Sequence, residues 1–419
     1  RKLLIFVNPR SGPGKALQIF QQRVIPILAE AHVEYSLIVT ATICRQKQSC
    51  ASIRRHMCRF ELLGWNCNRF WRWIVVVFNG LMERTDWKSA IKTPVGVVPG
   101  GSGNGLARAI GHALEEEPYL QHAVLSSSLN LVSGRTKLMD IIRVEMRSET
   151  CYSFLSIGWG LLADIDIESE KMRSIGELRF ALWSLAKIIG LRSYSGRVSY
   201  IPANTDPNPH LTRSATFPET SDESVQRAGD PRYSVNGEYD DASLLPPLNQ
   251  PIPCTWMSLE DSFLLVYVVY QTHIGSEVFF APSARLDDGI MWLLTVRKGV
   301  SRKQLLSFML SLESGEHTRC PFVGMIPVRA VRIEPFTDSG HMTVDGENVE
   351  CGPMQAEVLP SLARIMIEFF KFDRLSISIS ISISAIHSQL SPVHATIVVG
   401  CSRLSMERPI GVGVLVLRR

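Results

Sequence analysis

Leu3–Val7 is an unbroken apolar run, the pattern of a parallel strand buried on both faces. A Gly/Pro turn follows from Asn8 to Lys15. Leu17, Phe20, Val24, Leu28 and Ala31 then recur at helical spacing, with Pro26 as a kink point. Glu34–Thr40 reads as a second strand. This β-turn-α-β opening predicts a doubly wound α/β domain. The pattern is lost across residues 41–73, where Trp65, Trp71 and Trp73 crowd together and neither period persists. Order returns near Val75. Val95–Val98 reads as a short buried strand and Gly100–Gly105 as a glycine turn. Leu106, Ala109, Ile110, Ala113 and Leu114 mark an amphipathic helix.

Beyond Asn130 the texture changes to short strand-like segments, among them Ile141–Met146, Tyr152–Ile157, Arg197–Ile201, Ser262–Tyr270 and Ile290–Val296. Gly176–Leu191 interrupts them as a helix. The organisation predicted is an α/β nucleotide-binding domain over residues 1–130, with 41–75 aberrant, and a β-rich domain over 131–367. Residues 202–255, rich in Pro, Ser, Asp and Asn, read as a disordered insertion. Residues 368–419, which include the low-complexity run LSISISISIS, read as a tail outside the fold.

Composition narrows the function classes. The chain has 419 residues, 45% hydrophobic and 20% charged, as in ordinary globular proteins. A net charge of +4 without a Lys/Arg block argues against a nucleic-acid partner, while a mildly basic face suits an anionic membrane surface. No apolar run reaches the roughly 20 residues of a membrane-spanning helix. The start at Arg1, followed at once by strand residues, reads as lacking the natural N-terminus. Nine cysteines without regular spacing argue against a disulfide framework and for a reducing, cytoplasmic setting. Cys44, Cys50, Cys58 and Cys67 with His56 fit no zinc spacing.

Three glycine-bearing turns carry the candidate chemistry. NPRSGPGKA (8–16) follows the first strand. Its glycines permit close backbone approach, and N–H groups at a helix start attract phosphate. It is not a Walker A loop, and by itself a plain strand-to-helix turn reads equally well. PGGSGNG (99–105) joins a strand to a helix; three glycines with Ser and Asn exceed what a turn needs, which favours an anion-binding nest. Asp345-Gly346-Glu347 alone is a hairpin turn.

Together these turns resemble the diacylglycerol-kinase-like superfamily, and within it the sphingosine kinases. IGWGLLADIDIESEKMRSIGELRF (157–180) is similar to the sphingosine-kinase substrate segment throughout. HIGSEVFFAP, SARLDDGIMWLLTVRKGVSR and VDGENVECGPMQAEV resemble later family motifs in family order. The resemblance covers roughly 1–40, 75–201 and 256–366. It implies a two-domain lipid kinase, the second domain an antiparallel β-sandwich, using ATP and Mg2+ to phosphorylate the primary hydroxyl of sphingosine or a related long-chain base. It places Asn8, Arg10, Gly12, Gly14 and Lys15 on the ATP phosphates and ribose, Thr40 near adenine, and Gly101, Ser102, Gly103 and Asn104 around phosphate. Arg173 and Arg179 would reach phosphates, and Glu347 the nucleotide edge. Asp166 would pair with the ammonium of the long-chain base, since a buried cation needs a partner. Without the resemblance, Asp164, Asp166, Glu168 and Glu170 read as a solvated acidic stretch. The helix 176–191 would wall the acyl pocket of a peripheral membrane enzyme. A diacylglycerol or ceramide kinase is the near alternative, and a homodimer is left open.

One family element has no match. The general base is an aspartate in a Ser-Gly-Asp-Gly motif, expected near Trp71–Trp73, just before Asn79-Gly80-Leu81-Met82-Glu83-Arg84. The chain reads Arg69-Phe70-Trp71-Arg72-Trp73, and no acidic residue lies between Glu61 and Glu83. Phe-Trp-Arg-Trp-Ile can be encoded so that a one-base shift yields Ser-Gly-Asp-Gly. Residues 41–75 therefore read as a frame-shifted translation of the family segment. The chain as written would then be a catalytically dead nucleotide- and lipid-binding protein.

Overall fold

The computed structural model describes residues 2–9, 11, 14–39, 73–101, 104–115, 119–169, 178–203, 243–367 and 411–418. Strand β1 (Lys2–Val7) leads through helical segments Ala16–Ile19, Phe20–Val24 (a π-turn) and Ile25–Glu30 to β2 (Glu34–Val39), which pairs parallel to β1. Helices Trp73–Met82 and Trp87–Ala90 precede β3 (Val95–Gly101); helices Gly105–Ala113 and Tyr119–Ser133 follow it.

The continuous apolar run of β1 has a simple cause. Leu3, Ile5 and Val7 pack with Phe20, Val24, Leu28 and Leu131 on one face, while Leu4 and Phe6 pack with Phe78, Leu81, Leu106 and Ile110 on the other. Alternate side chains of a strand point to opposite faces, so a sheet covered twice needs apolar residues at every position. The doubly wound expectation for this region holds.

The β-rich part contains β4 (Thr136–Met146), β5 (Thr150–Ser153), β6 (Ser156–Gly160), β7 (Tyr194–Pro202), β8 (Met257–Val269), β9 (His273–Gly275), β10 (Val278–Phe279), β11 (Met291–Arg297), β12 (Val323–Pro335), β13 (Met342–Val344), β14 (Glu347–Val349) and β15 (Met354–Met366). Pairing is antiparallel throughout this set, and a parallel bridge, Ile365 to Val95, joins β15 to β3. One core gathers Trp159, Tyr194, Phe263, Ile333 and Val358 between the strands. A second lies on the far face of β8 and β11, under helices Leu161–Ser169, Leu178–Ile189 and Arg302–Leu310. The last of these starts with a capping box between Ser301 and Gln304.

Two parts of the chain depart from expectation. Residues 243–255, assigned to the disordered insertion, have a fixed path. The buried Arg332 guanidinium donates to the carbonyls of Gln250 (2.7 Å) and Pro247 (3.2 Å) and to Gln355 Oε1 (2.6 Å), which ties that path to β12. Residues 204–242 lie outside the described residues. Within the tail 368–419, the segment Gly411–Arg418 forms β16, seated between β1 and β3 and antiparallel to both. Its run GVGVLVLR has the strand-forming composition to fill a central place.

Candidate active site

Val414 of β16 pairs with Val7 on one side and Val98 on the other. The first two glycine loops therefore leave the sheet at the same end, one strand apart, about 10 Å at ordinary strand spacing. That end, outside the carboxyl ends of parallel strands, is where open α/β sheets bind ligands. In the first loop, Ser11 N donates to Asn8 O (3.0 Å) and Gly14 N to Ser11 O (3.1 Å). Gly14 has φ +81°, a conformation that favours glycine, and Lys15 is the N-cap residue of the following helix. Arg10, Gly12 and Thr40 lie outside the described residues.

In the second loop, Gly101 ends β3 and Asn104 stands at the N-cap position of the helix Gly105–Ala113; Ser102 and Gly103 lie outside the described residues. Asn104 is 1% exposed. Its Nδ2 donates to Ser276 Oγ (3.2 Å), while Oδ1 is buried with no hydrogen bond among the described residues. Gly105 sits against the second domain. A β-carbon there would come within 2.8 Å of His273 O and of Leu155 Cδ1.

The third turn sits on the other side of Leu155. Asp345 (φ +52°) and Gly346 (φ +76°) link β13 to β14 as a hairpin turn with both central residues left-handed. Asp345 is also a buried hub. Its Oδ1 accepts from Ser153 Oγ (2.7 Å), Leu155 N (2.9 Å) and Ser156 N (3.0 Å), and Oδ2 from Phe154 N (3.3 Å). Burial raises its carboxyl pKa, and those four donors act against the rise. Ser153 Oγ also lies 2.5 Å from Tyr270 Oη. Glu347, half-buried, opens β14 directly after this turn.

The acidic segment follows β6. Gly160 (φ +91°) turns the chain into helix Leu161–Ser169. Asp164 is not solvated: it is 2% exposed, and its carboxylate accepts from Tyr194 Oη (2.5 Å) and His341 N (2.9 Å). The Lys187 ammonium sits 3.5 Å from Asp164 and 2.6 Å from Glu168. Ligand atoms of Asp164, Glu168 and His341 lie within 4.8 Å of one another. The Lys187 ammonium offsets one of the two carboxylate charges and occupies lone pairs that a metal would need, which argues against a metal there. Asp166 is half-buried on the same helix. Arg173 and Glu170 lie outside the described residues, and Arg179 is in helix Leu178–Ile189.

The structure thus joins three of the expected parts. Asn104–Gly105 packs on Leu155, Asp345 holds Leu155, and β13 connects Asp345 to His341 and so to the Asp164 helix. The hub role of Asp345, the burial of Asp164 and the Ser276 contact were missed in the sequence; each depends on partners far along the chain. Trp71 lies outside the described residues, and Trp73 opens the helix Trp73–Met82, which Asn79 fixes through two bonds to the Tyr152 backbone (2.8 Å each).

Comparison with known proteins agrees with this layout. The diacylglycerol kinase catalytic domain family matches residues 2–63 and 73–144, leaving 64–72 unmatched, and the YegS C-terminal NAD kinase beta sandwich-like domain matches 247–367. Sphingosine kinase 1 of Mus musculus is 36% identical over 368 residues, 86% of this chain and 89% of that protein. Sphingosine kinase 1 of Arabidopsis thaliana is 31% identical over 391 residues, 93% of this chain and 75% of that protein. A crystal structure of a putative diacylglycerol kinase from Bacillus anthracis str. Sterne superposes with a TM-score of 0.54 at 15% identity, over 88% of this chain and 95% of that one, which bears on the fold alone. With a catalytic α/β domain, a β-sandwich domain and relatives matched along most of its length, the chain belongs to the sphingosine kinase family of ATP-dependent lipid kinases.

Proposed function

We propose that the intact protein phosphorylates the primary hydroxyl of sphingosine or a related long-chain base, and that the chain as written retains the binding sites without the general base. The carrying observation is the loop pair one strand apart, with the Asn104 side chain buried at the start of the helix that follows the second loop. That geometry fits phosphates at the end of the sheet. Asn8, Gly14, Lys15, Gly101 and Asn104 would hold ATP, together with Arg10, Gly12, Thr40, Ser102, Gly103, Arg173, Arg179 and Glu347. Mg2+ would arrive on the nucleotide phosphates and offset charge there. Asp166 would receive the ammonium of the base, a pairing that a neutral diacylglycerol cannot make. The apolar cluster under helices Leu161–Ser169, Leu178–Ile189 and Arg302–Leu310 would take the acyl chain.

Among the described residues no helix is long and apolar enough to cross a membrane. Leu182, Leu185 and Ile189 stand exposed on one helix and Leu306 and Leu310 on its neighbour, and Arg302 bridges the two helices through the Ile188 carbonyl (3.1 Å). This apolar patch supports peripheral seating on a membrane from the cytoplasmic side.

The second reading, a silent binding protein, rests on the missing aspartate motif and on what occupies the sheet. A doubly wound fold draws the strand beside β1 and β3 from the segment after β2, which is where the frame-shifted stretch lies. Here β16 takes that place, and GVGVLVLR offers no carboxylate. Loss of a general base costs about 10²–10⁴ in rate. The test is ATP-dependent phosphorylation of sphingosine by the chain as written, beside the chain encoded by the resequenced transcript over codons 41–75. Turnover by the first at a kinase-like rate overturns the silent reading. Failure of a second chain that restores Ser-Gly-Asp-Gly overturns the kinase reading.

A further inference from the structure

Asn104 is half-satisfied in a way that a phosphate ligand would resolve. Phosphate oxygens accept hydrogen bonds and donate none, so a phosphate needs the Asn104 amide nitrogen. That nitrogen donates to Ser276 Oγ, while the carbonyl oxygen of the same side chain is buried without a partner among the described residues. A half-turn of the carboxamide exchanges the two. Ser276 Oγ would then donate to Oδ1, and both amide hydrogens would be released toward the loop. A hydroxyl serves both arrangements because it donates and accepts; a methyl group serves neither.

Ser276 is also held where it must be. It sits between β9 and β10, whose hairpin is wedged on the phosphate-loop helix. His273 O, Ile274 C and Leu155 Cδ1 fill the space a side chain at Gly105 would need. The His273 and Phe279 rings stack at 4.7 Å, and the His112 ring, from the helix itself, lies 5.4 and 5.0 Å from them. The second domain therefore brings this hydroxyl to the first domain's loop on a fixed frame.

We propose that Ser276 is a positioning residue for the nucleotide: it orients the Asn104 carboxamide through its hydroxyl and presents the Asn104 NH2 to a phosphate of bound ATP. This rests on the reading of Asn104 as a phosphate ligand. Calorimetric titration of the full chain with Mg2+-ATP tests both, using Ser276→Thr, Ser276→Val, Asn104→Ala and the Asn104→Ala/Ser276→Val double variant. Thr and Val share a shape and differ in the hydroxyl, so a merely steric role moves them together. The expected result is Ser276→Thr within about twofold of the parent and Ser276→Val weaker by on the order of tenfold. Asn104→Ala should be weakened at least as much, and the double variant no further. Equal affinity of the Thr and Val variants, with Asn104→Ala weakened, overturns the role of Ser276 and leaves the nucleotide reading intact. Parent-like affinity of Asn104→Ala, or no binding by the parent, overturns the reading beneath it.

Discussion

Asp345 gives the sharpest test of how the site is held. Replacing it by Ala removes a carboxylate that accepts four bonds in a fully buried place, three of them on Oδ1. Ser153 keeps its contact with Tyr270, but the N–H groups of Phe154, Leu155 and Ser156 lose their acceptor. Each stranded buried donor costs about 1–3 kcal/mol, and Ala at φ +52° adds about 1 kcal/mol. The Phe154 bond is long, so a total near the lower end, about 4–5 kcal/mol, is expected. Asp345→Asn separates the contributions. Its single oxygen can still accept the three Oδ1 bonds, and Asn tolerates positive φ; only the Oδ2 bond goes, for about 1–2 kcal/mol. Urea unfolding followed by tryptophan fluorescence reads this directly, with Trp159 buried in the adjoining core. An Ala variant within about 1 kcal/mol of the parent, or an Asn variant as costly as Ala, would refute the hub.

Two further outcomes follow from the same interface. His273 is buried beside Arg108 and His112; burial, then these two neighbours, push its pKa down to about 3. A depressed histidine is neutral in the folded state and takes a proton on unfolding. Its contribution is thus present above pH 6.5 and lost as pH falls toward 3, at up to about 1.4 kcal/mol per pH unit. His273→Gln should flatten the decline of the urea midpoint below pH 6.5; parallel curves would contradict the assignment. Gly105→Ala should destabilise by about 1–3 kcal/mol, because its β-carbon meets backbone atoms of His273 and Ile274. In an open helix the same change stabilises by about 0.5–1 kcal/mol, so a raised melting temperature would show that the interface yields.

What could be read in the sequence was local or periodic. The run Leu3–Val7, the glycine turns and the Asp345-Gly346 hairpin declare themselves within a few residues, and the run Ser262–Tyr270 reads as a strand from its own composition. What was hidden depends on meetings at a distance. Asp164 looked solvated because Tyr194 lies 30 residues on and the His341 amide 177. Residues 243–255 carry the composition of a loose insertion, and their order comes from the buried charge of Arg332, whose bond to Gln250 O spans 82 residues. The place taken by β16 cannot be seen from GVGVLVLR. It is visible only once β1 and β3 are known to leave a strand-wide opening between them.

That strand also sets the order in which the molecule can be completed as it is made. β1 finds β2 within the first forty residues, but its other edge is closed by a strand in which Arg418 meets Leu3. At synthesis rates of about 5–20 residues per second, that edge stays open for roughly 20–80 s. The β-rich part, whose strands are all in hand by Met366, can assemble before then. The domain translated first is the one finished last. During that interval the exposed edge of β1, apolar at every position from Leu3 to Val7, is where the nascent chain is most open to pairing with a neighbour.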